Sequence, residues 1–220
     1  MRLAIKFTRK GMSKYISHLD MQRLFARLFK RAGLPVKYSN GFNPHINMSF
    51  ASALSVGMET EGDYLEVVLE EQMDANTALE LMRKNAPDGI YIEKCGEIIE
   101  GAPKLMAAVF CAEYEFFADD EAAFRDAFNA LLREESCIVV KKKDRKTKEI
   151  DIRPLIYSVD FSGEHAKAVL AFSGEKSLSA SVLISEILKR TDRELVVGIV
   201  RKELFAKPEG EAVHLEKLIK

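Results

Sequence analysis

Ser17-His18-Leu19-Asp20-Met21-Gln22-Arg23-Leu24-Phe25-Ala26-Arg27-Leu28-Phe29-Lys30-Arg31-Ala32 is the stretch on which the fold turns. Ser17 with an acid three residues later is close to a capping box and sets a helix start. Met21, Leu24, Phe25, Leu28 and Ala32 recur at three- and four-residue steps, so they share one face. Gly33 and Pro35 end the helix. Upstream, Leu3–Phe7 alternates apolar and polar residues as a strand does, and Gly11 breaks it. Downstream, Val36–Tyr38 begins a strand, a turn-rich loop follows, and Ile46–Leu54 resumes the strand with Tyr64–Leu69 as its partner. Residues 74–86 read as a second helix with Leu79 and Met82 inward, and Pro87-Asp88-Gly89 turns the chain into a strand at Ile90–Lys94. The order is β-α-β-β-α-β.

That order then repeats. Ala108–Phe117 reads as a strand and Asp119–Arg133 as a helix with Ala123, Phe124, Ala127, Phe128, Leu131 and Leu132 as its apolar stripe. Strands at Cys137–Lys142, Ile150–Phe161 and His165–Phe172 follow, then a helix at Ser179–Lys189 and a strand at Leu195–Leu204. The expected fold class is α+β, with tandem duplicated ferredoxin-like βαββαβ halves built on antiparallel sheets. The expected boundaries are 1–96 for the first half, 97–107 for a linker, and 108–220 for the second half with a basic hairpin and an amphipathic tail at Val213–Ile219.

A hydrophobic share of 47% in 220 residues suits a chain that buries a core. The net charge of −1 hides a segregation. Residues 1–50 hold ten basic groups against one acid, residues 51–137 hold six against twenty, and residues 138–220 hold seventeen against thirteen. Local potential steers partners where net charge cannot. Cys95, Cys111 and Cys137 are widely spaced, without a CxxC pair, and read as buried thiols in a reducing compartment. No signal segment and no apolar run of membrane-spanning length is seen. A cytoplasmic protein is expected, without a membrane, metal or cofactor.

Two segments carry candidate chemistry. Arg23, Arg27 and Lys30 or Arg31 lie opposite the apolar stripe of the first helix, flanked by Lys14 and Lys37, in a pattern that phosphates reward. The plain alternative is a solvated face. The loop Tyr38-Ser39-Asn40-Gly41-Phe42-Asn43-Pro44-His45 gathers two aromatics, two amides and an imidazole. Tyr38 and Phe42 could stack unpaired bases, and Asn40 and Asn43 could read base edges. A rigid turn with Phe42 in the core is the competing reading. His18 and His45 are candidate acid–base groups, or else capping and core residues. Ser17 is better explained as a helix cap than as a nucleophile. Lys141, Lys142, Lys143 and Arg145 form a second basic patch on a hairpin that either grips a nucleic-acid backbone or protects a sheet edge.

Tyr15-Ile16-Ser17-His18-Leu19-Asp20, Arg31-Ala32-Gly33-Leu34-Pro35 and Tyr38-Ser39-Asn40-Gly41-Phe42-Asn43-Pro44-His45 together resemble the radical-SAM-linked protein family. So do Gly57-Met58-Glu59 and Lys148-Glu149-Ile150-Asp151-Ile152-Arg153-Pro154-Leu155-Ile156. Ile46 departs from the pattern, where a second proline is expected after His45. The family is a domain of unknown function found beside or fused to cobalamin-binding radical SAM proteins. The resemblance implies a radical SAM partner and supplies no activity. This chain lacks the CxxxCxxC cluster motif and so is not itself the radical SAM catalyst. A looser similarity of architecture is to the CRISPR repeat-processing endoribonucleases. The leading expectation is a non-catalytic RNA-binding accessory protein. The alternatives are a docking subunit of the radical SAM enzyme and a metal-independent endoribonuclease using His18 and His45.

Overall fold

The computed structural model describes residues 1–143, 146–174, 176–207 and 211–220. The described chain combines α and β structure on antiparallel sheet, and none of its helices is long and apolar enough to cross a membrane. It divides into two compact units, one of residues 1–110 with 201–220 and the other of residues 111–200. In chain order the elements are β1 (Arg2–Arg9), α1 (His18–Arg31), β2 (Met48–Phe50), β3 (Glu59–Val68), α2 (Ala75–Asn85), β4 (Ile90–Glu97), α3 (Leu105–Ala108) and β5 (Val109–Ala118). There follow α4 (Glu121–Arg133), β6 (Ile138–Lys143), β7 (Lys146–Asp151), β8 (Ile156–Asp160), β9 (Ala166–Ser173), β10 (Lys176–Ser177), α5 (Ala180–Leu188), β11 (Val197–Ala206) and β12 (Val213–His214).

In the first unit β1 is central, antiparallel to β3 on one side and β4 on the other. β2 pairs with β3 through Met48↔Val67 and Phe50↔Leu65. α1 and α2 bury Phe25, Leu28, Phe29, Ala78 and Met82 against Leu3, Ile5 and Phe7 of β1 and Leu65 and Val67 of β3. Each of these side chains except that of Ala78 contributes about 1.5–3 kcal/mol on burial. Phe7 and Phe25 lie 4.8 Å apart, and Phe50 meets Phe25 edge-on at 5.5 Å.

The strand expected over Ile46–Leu54 is only three residues long. β3's edge is shared: β2 takes Leu65–Val67, while β11 lies against Thr60–Gly62, where Thr60 Oγ1 donates to the Arg201 carbonyl at 3.1 Å. Gly62 is required there, since a Cβ would meet the Lys202 carbonyl oxygen at 2.4 Å. The chain leaves the sheet after Ala51 and wraps Arg201, which donates to Ser52 Oγ at 2.7 Å and to Asp63. Arg201 is fully buried. Arg9 is also buried and donates to the carbonyls of Ile16, Ser55 and Met58. The segment expected as a linker is packed: Leu105 is fully buried and its N–H donates to Glu66 Oε2 at 2.8 Å, while Arg2 donates to the Ala102 carbonyl at 2.8 Å. Residues 201–220, expected in the second half, belong to the first unit.

In the second unit β5 pairs with β9, and β9 pairs with both β8 and β10. The opening residues of β11 lie beside β5, where the Asp119 N–H donates to the Val196 carbonyl at 3.2 Å. Phe124, Ala127, Phe128 and Leu131 of α4 are buried, with Phe116 of β5 6.0 Å from the Phe124 ring. β6 and β7 form a separate hairpin. The strand expected over Ile150–Phe161 is interrupted at Arg153–Leu155 by a 3-10 turn containing Pro154, a residue that cannot donate to a ladder.

The buried Arg201–Asp63 pair gives a stability prediction. Arg201→Met should lower the unfolding free energy in urea by about 3–5 kcal/mol by leaving Asp63 uncompensated, and Arg201→Met/Asp63→Leu should lose much less.

Candidate nucleic-acid interface

Ser17 caps α1: its hydroxyl accepts from the Asp20 N–H at 3.2 Å and donates to Asp20 Oδ2 at 2.7 Å. With Met21, Phe25, Leu28 and Phe29 buried, helix geometry turns Arg23, Arg27, Lys30 and Arg31 to solvent. The stripe is not uniformly free. Arg23 donates to Asp20 Oδ1 at 2.8 Å, Lys14 sits 3.6 Å from Glu59, and Arg31 donates to the Asn85 carbonyl at 2.7 Å. Lys30 lies 5.8 Å from the Tyr38 ring centroid, a cation–π distance. Arg27 and Lys37 are exposed and form no ion pair among the described residues.

The loop at 39–45 is pinched shut at its base. Tyr38 and Ile46 form an isolated bridge, the Ser39 N–H donates to the His45 carbonyl at 2.7 Å, and the His45 N–H donates to Ser39 Oγ at 3.0 Å. Gly41 turns the tip at φ +125°, a conformation that disfavours side chains. Phe42 is 112% exposed, so the reading that plugs it into the core fails. Asn40 and Asn43 are exposed beside it, and Tyr38 is 37% exposed.

Helix and loop meet at a groove of about 390 Å³ lined by Leu19, Gln22, Arg23, Ala26, His45, Ile46 and Met48. His45 thus lines the groove. His18 instead packs its ring 5.3 Å from Phe50, with Nε2 3.3 Å from the Gln22 amide nitrogen. No hydrogen bond joins the two histidines among the described residues. Sequence periodicity missed Leu19, which is 63% exposed, and Gln22, Ala26 and Met48. Leu19 is one position outside the apolar stripe, and that offset was the available signal. Lys141, Lys142 and Lys143 lie on β6, paired in register with Lys148, Thr147 and Lys146. Arg145 lies outside the described residues. The tail is folded in, with Leu215 fully buried and Ile98 bridging Ile219.

A second polar constellation went unread in the sequence. Glu203 is buried and accepts from Lys6 at 2.6 Å, from the Tyr64 hydroxyl at 2.8 Å and from the Leu204 N–H at 2.9 Å. Lys6, Lys94, Glu203, His214, Glu216 and Lys217 line an open cavity of about 570 Å³ there. Burial pushes the Cys95 thiol up to about 12 and raises Cys137, so neither is an activated nucleophile. No cluster able to hold a metal occurs among the described residues.

These features define a mixed α/β protein carrying a basic helix face and an aromatic-tipped loop around one groove. Residues 2–196 match the family described as an uncharacterized protein conserved in bacteria, DUF2344, and the chain belongs to it. No curated protein matches it.

The Ser17 hydroxyl first, and then Arg23, holds the Asp20 carboxyl below its ordinary value. Such a carboxylate stabilises the folded state above the ordinary pKa, and the contribution is lost as pH falls through the lower folded value. An NMR titration should place the Asp20 midpoint below about 3.9, moving back toward it in Ser17→Ala.

Proposed function

We propose that this chain is an RNA-binding accessory protein that serves a radical SAM enzyme and is not itself the catalyst. One observation carries the reading: the fully exposed Phe42 stands on a pinned loop whose base, His45 and Ile46, lines a groove with α1 and its cations. Aromatic faces beside cations are what unpaired bases and their phosphates recognise. The radical SAM partner comes from the resemblance of the Ser17–Asp20 and Tyr38–His45 motifs to the radical-SAM-linked family. In the same reading the chain holds two ferredoxin-like halves, 1–96 and 108–220. The strand orders β4-β1-β3-β2 and β11-β5-β9-β8, with β6 and β7 as an insertion, support it. The endoribonuclease alternative keeps His18 and His45 as its candidates, with His45 lining the groove and His18 beside Phe50 and the groove residue Gln22.

Binding of single-stranded RNA should weaken with salt at a slope of about −2 to −3 in log–log form, as expected for three or four phosphate contacts. Arg27→Glu/Lys37→Glu should lower affinity at least about tenfold and flatten that slope by more than 1. Phe42→Ala should cost about 1–3 kcal/mol with the slope unchanged. Asp20→Asn, which releases Arg23, should bind more tightly and with a steeper slope. Filter binding between 50 and 200 mM salt reads all of these, and a charge-reversed chain that binds as wild type would sink the proposal.

A further inference from the structure

We infer that the groove between α1 and the Ile46–Met48 segment holds a single unpaired RNA base, with the flanking backbone running along Arg27 and Lys30. The inference rests on the RNA-binding reading and names what that site takes. A nucleobase has two faces that favour apolar or aromatic contact and an edge of hydrogen-bond donors and acceptors. The groove offers both. Leu19, Ala26, Ile46 and Met48 give its lining apolar surface, and Gln22, Arg23 and His45 give it polar groups. Its volume of about 390 Å³ lies in the usual range of about 300–1,000 Å³ for small-ligand sites.

The polar groups are held in place. The amide nitrogen of Gln22 sits 3.3 Å from His18 Nε2, which leaves the amide oxygen as an acceptor. Ser39 fixes the main chain of His45 through both its N–H and its carbonyl, and the exposed ring makes no hydrogen bond among the described residues. A neutral imidazole supplies one donor and one acceptor.

The charge pattern selects the occupant. Arg27 lies four residues beyond Arg23, and Lys30 four beyond Ala26, so the cations continue along the helix from the groove wall. Asp20 already neutralises Arg23 at the groove, whereas Arg27 has no ion-pair partner among the described residues. A buried base needs no counter-charge beside it, while the phosphates flanking it do. An apolar peptide would have no use for the row of cations. A double-stranded helix would not present a free base to the groove.

Fluorescence anisotropy on the full chain tests the inference, in a Phe42→Ala background that removes stacking by the loop. The probes are a seven-nucleotide single-stranded RNA and the same ribose–phosphate backbone without bases. The base-bearing RNA should bind at least tenfold more tightly. Ala26→Leu, which fills the groove, should bring that ratio close to one while leaving the abasic affinity within twofold. Leu19→Ser strips an exposed wall that the fold does not need, and should act in the same direction. Arg27→Glu should weaken both probes together. If both groove variants keep the full preference, the groove holds no base and the inference fails, while RNA binding stands. Absence of binding to either probe by the wild-type chain at 50 mM salt overturns the RNA reading and the inference with it.

Discussion

The contact between Phe7, Phe25 and Phe50 fixes everything that follows at the interface. Phe7 comes from the central strand, Phe25 from the inner face of α1 and Phe50 from β2. Three aromatic rings within 4.8–6.0 Å of one another lock helix, strand and sheet together through edge and tilted contacts. His18 closes the same cluster at the start of the helix. The groove lies between two of the elements these rings join. Its width is therefore set by core packing, which tolerates little change in volume.

The outer face of α1 follows different physics. Four of its cations stand in a row that looks uniformly basic in sequence, but an exposed charge is useful to a partner only if no neighbour already holds it. Asp20 spends its carboxylate on both the helix cap and Arg23, and Asn85 offers Arg31 a carbonyl. Arg27, Lys37 and the ring-stacked Lys30 are left facing solvent. The residual field is narrower than the composition implies.

Buried charge plays a separate, architectural part. Arg201 enters from the far end of the sequence to meet Asp63 and Ser52, and Arg9 ties the carbonyls of Ile16, Ser55 and Met58. Ions withdrawn from water in this way are costly to leave without a partner. They hold the start of α1 and the turn after β2, the two approaches to the interface.

Periodicity made α1, α2, α4 and α5 legible, with the Ser17 cap marking the start of α1, because helix faces are local consequences of spacing; the structure adds Asp74, Asp120 and Ser179 as caps of the other three. The sequence alone also marked the helix face and the Tyr38–His45 loop as one candidate region, since charge and aromatic content need no partner to be seen. Only the tertiary structure decided that β2 would stop at Phe50, because that depends on β11 taking the next stretch of β3. Only it decided that Phe42 would stand outside the core, and that Leu19, Ala26 and Met48 would share a groove with His45. Each of those outcomes is a contact between residues distant in the chain. No local pattern encodes it, and packing and the pairing of charge settle it once the whole core is assembled.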